Sequence, residues 1–242
     1  MQILTVESQW LYALIVNLIL ISLAQRLPLL TKSGWIHAGV LGTLLWGCLD
    51  WPGWTSVVIY LVLGSTVTKI GYKYKEKAGI AESRGGSRGP ENLWGSAAIG
   101  TILALLIALG GDRFILLVGF AASFAAKLAD TFGSEIGKRW GRNTFLITSF
   151  RPVPAGTDGA ISLEGTLASV LGSFLMALSM AIVFQDSLPP FILLITLCGF
   201  LGTLFESVIG ALVQGKFRWL TNELVNALQT AIAALIAMLL VA

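Results

Sequence analysis

Apolar positions gather in eight blocks along the chain, at residues 10–25, 34–49, 53–70, 93–110, 113–132, 163–184, 189–212 and 223–242. Each block is sixteen to twenty-four residues long, close to the roughly 20 that a helix needs to cross the hydrocarbon core of a bilayer. Turn-forming residues punctuate them: Pro28, Pro52-Gly53, Gly110-Gly111 and Pro189-Pro190 all fall at block edges. The block at 34–49 is short and glycine-rich and carries the weakest signal. The pattern predicts an all-α, polytopic integral membrane protein of about eight transmembrane helices. It forms one helical domain over residues 1–242, and its longest connections are 71–92 and 133–162.

Composition agrees: 55% of residues are hydrophobic and only 12% charged, where a soluble domain carries roughly twice that charged fraction. This excludes a secreted disulfide scaffold and a soluble nucleotide-binding domain. A net charge of +3 and a pI near 9.0 do not indicate a nucleic-acid partner, because the basic residues have a topological explanation. Fifteen of the sixteen Lys and Arg residues fall in alternate connections. Arg26 and Lys32 follow the first block; Lys69 to Arg88 follow the third; Lys127 to Arg151 end or follow the fifth; Lys216 and Arg218 follow the seventh. Arg113 alone lies on the other side. The positive-inside rule makes the basic side cytoplasmic and puts both termini on the opposite face. Ser22-x-Ala24 has the form of a cleavage site, but no basic segment precedes the first block, so that span is predicted to be retained. Cys48 and Cys198 sit in apolar blocks without C-x-x-C spacing, and His37 is the one histidine, which argues against a zinc or redox site.

The end of the fifth block is unlike a lipid-facing helix. Lys127, Asp130, Thr131, Ser134, Glu135 and Lys138 recur at i, i+3, i+4, i+7, i+8 and i+11, one face of a continuous helix. Ionisable groups at membrane depth are costly and usually face a bundle interior or aqueous cavity. The plainer alternative is a helix leaving the membrane with salt bridges from Lys127 to Asp130 and from Glu135 to Lys138.

Three more polar clusters lie on the same side. Residues 151–159, Arg-Pro-Val-Pro-Ala-Gly-Thr-Asp-Gly, followed by Ser162 and Glu164, form a turn-rich run in which glycines let backbone amides approach an anion; an ordinary interhelical turn has the same composition. Arg84-Gly-Gly-Ser-Arg88-Gly-Pro-Glu91-Asn92 leads into the fourth block. Glu206 lies in the seventh, and Asn222, Asn226 and Gln229 share one face of the eighth, where hydrogen bonding between helices is the structural alternative. Lys73, Lys75 and Lys77 read as contacts to anionic lipid head groups. Asp130, Glu135 and Glu206 are suited to one or two Mg²⁺ ions, bound through water and phosphate oxygens, while Lys and Arg neutralise phosphate charge. With no histidine base for a nucleophile, transfer of a phosphoryl or nucleotidyl group at the cytoplasmic face is the economical reading.

Asp130-Thr131-x-x-Ser134-Glu135-Ile136-Gly137-Lys138 and Val153-Pro154-x-Gly156-Thr157-Asp158-Gly159-Ala160-x-Ser162-Leu163-Glu164-Gly165-Thr166 resemble the phytyl-phosphate kinase family of plants and cyanobacteria. Gly202 to Ala211 and Trp219 to Asn226 continue the resemblance, which covers roughly residues 80–242. More remotely, the chain is similar to CTP-using dolichol kinases and lipid cytidylyltransferases. Two positions depart from the plant pattern: Ala155 stands where that pattern has arginine, and Asp158 replaces a glutamate. The resemblance implies transfer of a phosphoryl group from a nucleoside triphosphate, CTP being the suspected donor, to phytyl or another prenyl monophosphate, in phytol salvage for tocopherol and quinone synthesis. It suggests Asp130, Glu135 and Lys138 as catalytic groups, with Asp130, Glu135 and Glu206 at Mg²⁺. Lys127, Lys138 and Arg151 would meet phosphate charge, and Gly156, Thr157 and Gly159 would form a backbone cradle. Thr131, Ser134, Asp158 and Glu164 stand beside them; Arg88, Asn92, Asn222 and Asn226 complete the expected pocket. A CDP-lipid-forming cytidylyltransferase and a prenol kinase remain alternatives within enzymes. A transporter or flippase is the alternative outside them, weakened by ionisable residues that gather at helix ends rather than at mid-span.

Overall fold

The computed structural model describes residues 6–185, 187–213 and 219–242. Lys216 and Arg218, which contribute to the charge pattern, lie outside the described residues. Among the described residues the regular structure is helical except for one two-residue ladder. In order it forms α1 (Val6–Ala24), α2 (Lys32–Lys69), the short α3 (Tyr72–Lys77), α4 (Pro90–Ala108), α5 (Arg113–Trp140), α6 (Leu163–Val183), α7 (Ile192–Val213) and α8 (Asn222–Val241); β1 (Phe145–Leu146) and β2 (Ala160–Ile161) pair antiparallel in the α5–α6 connection. Among the described residues, five helices are long and apolar enough to cross a membrane: α4, α5, α6, α7 with its preceding Pro189 turn, and α8. This is a multi-pass integral membrane protein.

Two boundaries differ from the sequence expectation. The second and third blocks form one helical run, α2, broken only at Asp50, whose φ of 59° and ψ of −164° turn the chain without a loop. Its carboxylate accepts the Trp51 amide at 2.7 Å, and Pro52 follows in the first turn of the second arm, where a missing amide hydrogen costs nothing. The fifth block continues as helix to Trp140, eight residues past the apolar boundary, because its polar end is covered by protein rather than by lipid.

That covering makes α5 the axis of the fold. From Leu117 to Ala129 every residue is buried, and α2, α4, α6, α7 and α8 all pack on it, α6 most extensively. The stretch is rich in Gly, Ala and Ser, so neighbouring backbones approach closely, the usual means of helix association where lipid removes the hydrophobic driving force. The α5–α6 contact shows how close: a Cβ on Gly165 would lie 2.9 Å from the Gly133 carbonyl oxygen. Gly133 thus serves helix packing.

Up-and-down connectivity brings the C-terminal ends of α2, α5 and α7 to the same end of the bundle as the N-terminal ends of α4, α6 and α8. The turns at Asp50, at Gly110-Gly111 and at Leu188 lie at the other end.

Candidate active site

A polar cleft of about 250 Å³ occupies the shared end. Side chains from α2, α4, α5, α6, α7 and α8 line it, together with the loops at 82–88 and 155–162. Its floor is a cross-link between three helices: Gln229 Nε2 donates to the Ala126 carbonyl at 2.8 Å and to Thr203 Oγ1 at 3.1 Å, and Thr203 Oγ1 donates to the same carbonyl at 3.1 Å. This fixes α5, α7 and α8 one turn below the ionisable groups.

Directly above, Lys127 is 7% exposed. Its Nζ donates to Asp130 and, at 2.8 Å, to Asn226 Oδ1. Glu206 lies three residues after Thr203 on α7 and so faces the cleft as Thr203 does. Among the described residues its one hydrogen bond is a long one, 3.4 Å from Ser207 Oγ. Asp130 and Asp158 are its acidic neighbours, close enough for their charges to act on it. Asn222 lines the rim.

Glu135 is engaged differently. It is 2% exposed, and its Oε2 accepts from Lys75, itself fully buried, while Oε1 stands 3.7 Å from Lys138. The expectation that Lys75 contacts lipid head groups is therefore corrected. Helix α3 folds back onto the end of α5, with Lys75 Nζ also donating to the Thr68 carbonyl at 2.8 Å and the Arg139 guanidinium 4.6 Å over the Tyr74 ring. Lys73 and Lys77 remain exposed.

Lys138 Nζ reaches across to Glu82 Oε1 at 3.2 Å, which pins the 79–88 loop over the cleft. Partial burial raises the Glu82 carboxyl, but the Lys138 charge and hydrogen bond outweigh it and hold the group below its ordinary range. Further along, Arg88 donates to Tyr60 Oη and stacks over its ring, Cζ lying 5.1 Å from the centroid. Asn92 Oδ1 accepts from the Gly89 amide at 3.1 Å and from Arg84 at 2.7 Å.

The loop after α5 turns back through the β1–β2 ladder. Gly159, at φ +73°, presses against α7 so closely that a Cβ would lie 2.5 Å from the Ser207 carbonyl oxygen. This lays the backbone of residues 155–159 along the cleft wall, with the turn closed by Thr157 Oγ1 donating to the Pro154 carbonyl at 2.8 Å. Ser162 caps α6 by accepting the Gly165 amide at 3.1 Å. Three helix N-terminal turns, those of α4, α6 and α8, thus border one cleft, each adding a partial positive charge.

Of the residues expected at the site, the cleft gathers Arg88, Asn92, Lys127, Asp130, Thr131, Ser134, Glu135, Lys138, Gly156, Thr157, Asp158, Gly159, Glu206, Asn222 and Asn226. Arg151 and Glu164 do not line it. Arg151 is exposed, its carbonyl accepting the Leu146 amide at 3.0 Å, and Glu164 faces the Arg142 amide at 3.4 Å in the first turn of α6. Sequence reading missed Glu82 and Tyr60. Glu82 is the one acid in the basic run 77–88, a usable signal; Tyr60 has none, being one aromatic in an apolar block.

No three carboxylate, imidazole or thiol groups among the described residues gather closely enough to hold a metal ion by themselves. The donor chemistry nevertheless fits Mg²⁺ shared with a polyphosphate. Asp130 and Glu206 offer hard oxygens on one cleft, and Mg²⁺ commonly takes one or two carboxylates with phosphate and water completing its shell. Glu135, matched by two lysines, does not stand open in that way.

Fold and cleft together define a multi-pass helical membrane protein with a charged site at one end of its bundle. The chain matches the integral membrane protein family DUF92 over residues 15–234, and it belongs to that family. It is 49% identical over 235 residues to an uncharacterized membrane protein of Synechocystis, 94% of this chain and 90% of the relative. Protein VTE6, chloroplastic, of Arabidopsis thaliana is 40% identical over 239 residues, 96% of this chain and 72% of that protein. An uncharacterized membrane protein of Methanocaldococcus jannaschii is 33% identical over 215 residues, covering 87% and 85%. The plant match extends the resemblance beyond residues 80–242 to nearly the whole chain. No solved structure matches.

Proposed function

We propose that the protein is a prenyl-phosphate kinase, transferring the γ-phosphoryl group of a nucleoside triphosphate, CTP, to phytyl monophosphate or a close prenyl relative. The observation that carries the reading is the single cleft in which Lys127, Lys138 and Arg88 and three helix N-termini stand beside the carboxylates Asp130 and Glu206. Such a site suits polyphosphate better than any neutral substrate. The motif resemblance to phytyl-phosphate kinases and the match of 96% of this chain to the plant protein support the same activity.

In this reading an oxygen of the prenyl phosphate attacks the γ-phosphorus, the bond to the β,γ-bridging oxygen breaks, and a nucleoside diphosphate leaves. A phosphate monoester has a second pKa of about 6, so the nucleophile is already largely deprotonated at neutral pH. No strong base is required, which matches a site without histidine. Lys127 and Lys138 hold phosphate charge, Arg88 meets the acceptor, and the amides of 156–159 cradle the donor. Asp130 and Glu206 would hold Mg²⁺, which supplies charge neutralisation on the triphosphate when bound. Glu135 keeps Lys75 and Lys138 in place.

The five apolar helices, the two arms of α2 and α1 together make eight spans, with both termini on the face away from the cleft. The basic residues around the cleft favour a cytoplasmic site, where soluble nucleotide and lipid-borne acceptor meet.

The test is a detergent assay with phytyl monophosphate, Mg²⁺ and nucleotides labelled at the γ-phosphate. Label should appear in phytyl diphosphate, and Asp130→Asn or Glu206→Gln should reduce turnover by about 100-fold or more. Pyrophosphate release from CTP would instead mark a cytidylyltransferase, and label in phytyl monophosphate from phytol alone a prenol kinase.

A further inference from the structure

A second cavity of about 280 Å³ lies between α1, both arms of α2 and α4. Its walls are almost wholly apolar, supplied by side chains such as Leu20, Leu41, Val58, Leu61 and Leu93. Arg88 lines both this cavity and the polar cleft. Its guanidinium is held at the junction by Tyr60 and packs on Gly64, where a Cβ would stand 2.6 Å from Nη2. At the other end Trp54 Nε1 donates to Asn17 Oδ1 at 2.9 Å, and Asn17 packs directly on Gly42. Leu27 and Val62, 51% and 49% exposed, form an outer lip on the flank of the bundle.

We propose that this cavity holds the hydrocarbon tail of the lipid monophosphate acceptor, with Arg88 meeting its phosphate at the junction and the Asn17–Trp54 pair closing the far end. The identity of the head group rests on the kinase reading; the tail site rests on the geometry. An amphiphile with a dianionic head and one long apolar chain requires a polar and an apolar site that meet at a cation, and Arg88 provides that meeting point. Ten residues of α2 separate Gly64 from Trp54, about 15 Å along the helix, which an extended chain spans in on the order of a dozen bonds. This is the scale of a prenyl chain rather than of a short alcohol. The half-exposed lip lets the chain enter from the bilayer without passing through water.

Two measurements test the assignment on the full-length protein in lipid nanodiscs. The first uses a phytyl monophosphate analogue with a photoreactive diazirine in its tail, followed by peptide mapping. Label on α1, α2 or α4 peptides, competed by phytyl monophosphate but not by excess phospholipid, is expected, and it requires no turnover. The second compares phytyl with geranyl monophosphate as acceptors in Val58→Trp and Ala38→Phe, which narrow the cavity at two independent places. Each should lower the phytyl-to-geranyl kcat/KM ratio by about tenfold or more. Label elsewhere, label competed equally by any phospholipid, or an unchanged ratio in folded variants would overturn the tail site. Turnover with label elsewhere would leave the kinase reading standing alone, and specific cavity label without turnover would leave the tail site standing alone.

Discussion

A buried ammonium is stable only where its charge is matched, and Lys75 meets that condition with the Glu135 carboxylate and the Thr68 carbonyl. Removing Lys75 leaves the buried Glu135 carboxylate with Lys138 alone, 3.7 Å away. Lys75→Met should therefore destabilise the protein by about 1–3 kcal/mol, read as a fall in thermal midpoint in detergent, and Lys75→Met with Glu135→Leu should recover part of the loss. Glu82 gives a pH signature. Its carboxyl is held below its ordinary value of 4.5 when folded, so its contribution is complete above the unfolded value and is lost as pH falls through the folded one. The stability difference between wild type and Glu82→Gln should hold constant from neutral to mildly acidic pH and vanish in stronger acid. A difference that faded near neutrality would show that Lys138 does not hold the carboxylate.

At the scale of elements, the site depends on how closely α5 and α6 approach. Gly165→Ala would drive a methyl to 2.9 Å from a backbone oxygen that has little room to yield, whereas at Gly137 the nearest atoms lie at 3.5 and 3.6 Å, ordinary contact. Gly165→Ala should cost about 1–3 kcal/mol. Gly137→Ala should be neutral or stabilising, since alanine favours helix by up to about 1 kcal/mol. Thermal unfolding of the two variants side by side checks this, and equal effects would mean that the helices are not locked at Gly133–Gly165. Helix α3 shows the same dependence on context: six residues cannot hold a helix alone, and it persists because Lys75 and Tyr74 dock on Glu135 and Arg139.

For the whole molecule, all cleft-forming ends lie together, and that end carries the described basic residues other than Arg113. Single cysteines placed in a background lacking Cys48 and Cys198 test the proposed orientation. Both Asp112 and Ser149 are exposed, at opposite ends of the bundle. An impermeant maleimide added to intact cells should label Asp112→Cys and spare Ser149→Cys until the membrane is opened. The reverse pattern would place the cleft on the outer face.

What the sequence determined by itself follows from its two strongest regularities. Bilayer thickness imposes a length on each apolar block, and the charge rule imposes an alternation on the connections, so the helical, multi-pass character and the basic end were both legible. The polar stripe from Lys127 to Lys138 was legible because helical periodicity alone puts those residues on one face. Residues whose meaning depends on a partner far along the chain were not. Lys75 reads like its exposed neighbours Lys73 and Lys77 until α3 folds onto Glu135, sixty residues away. Arg151 and Glu164 belong to the same run as Gly156 and Gly159, yet Arg151 is exposed and Glu164 turns toward the Arg142 amide. Only tertiary packing decides such cases, because a side chain's direction at a loop or helix end is set by what covers it. Local sequence fixes where helices run in a membrane; contacts between them select which charges face one another across the cleft.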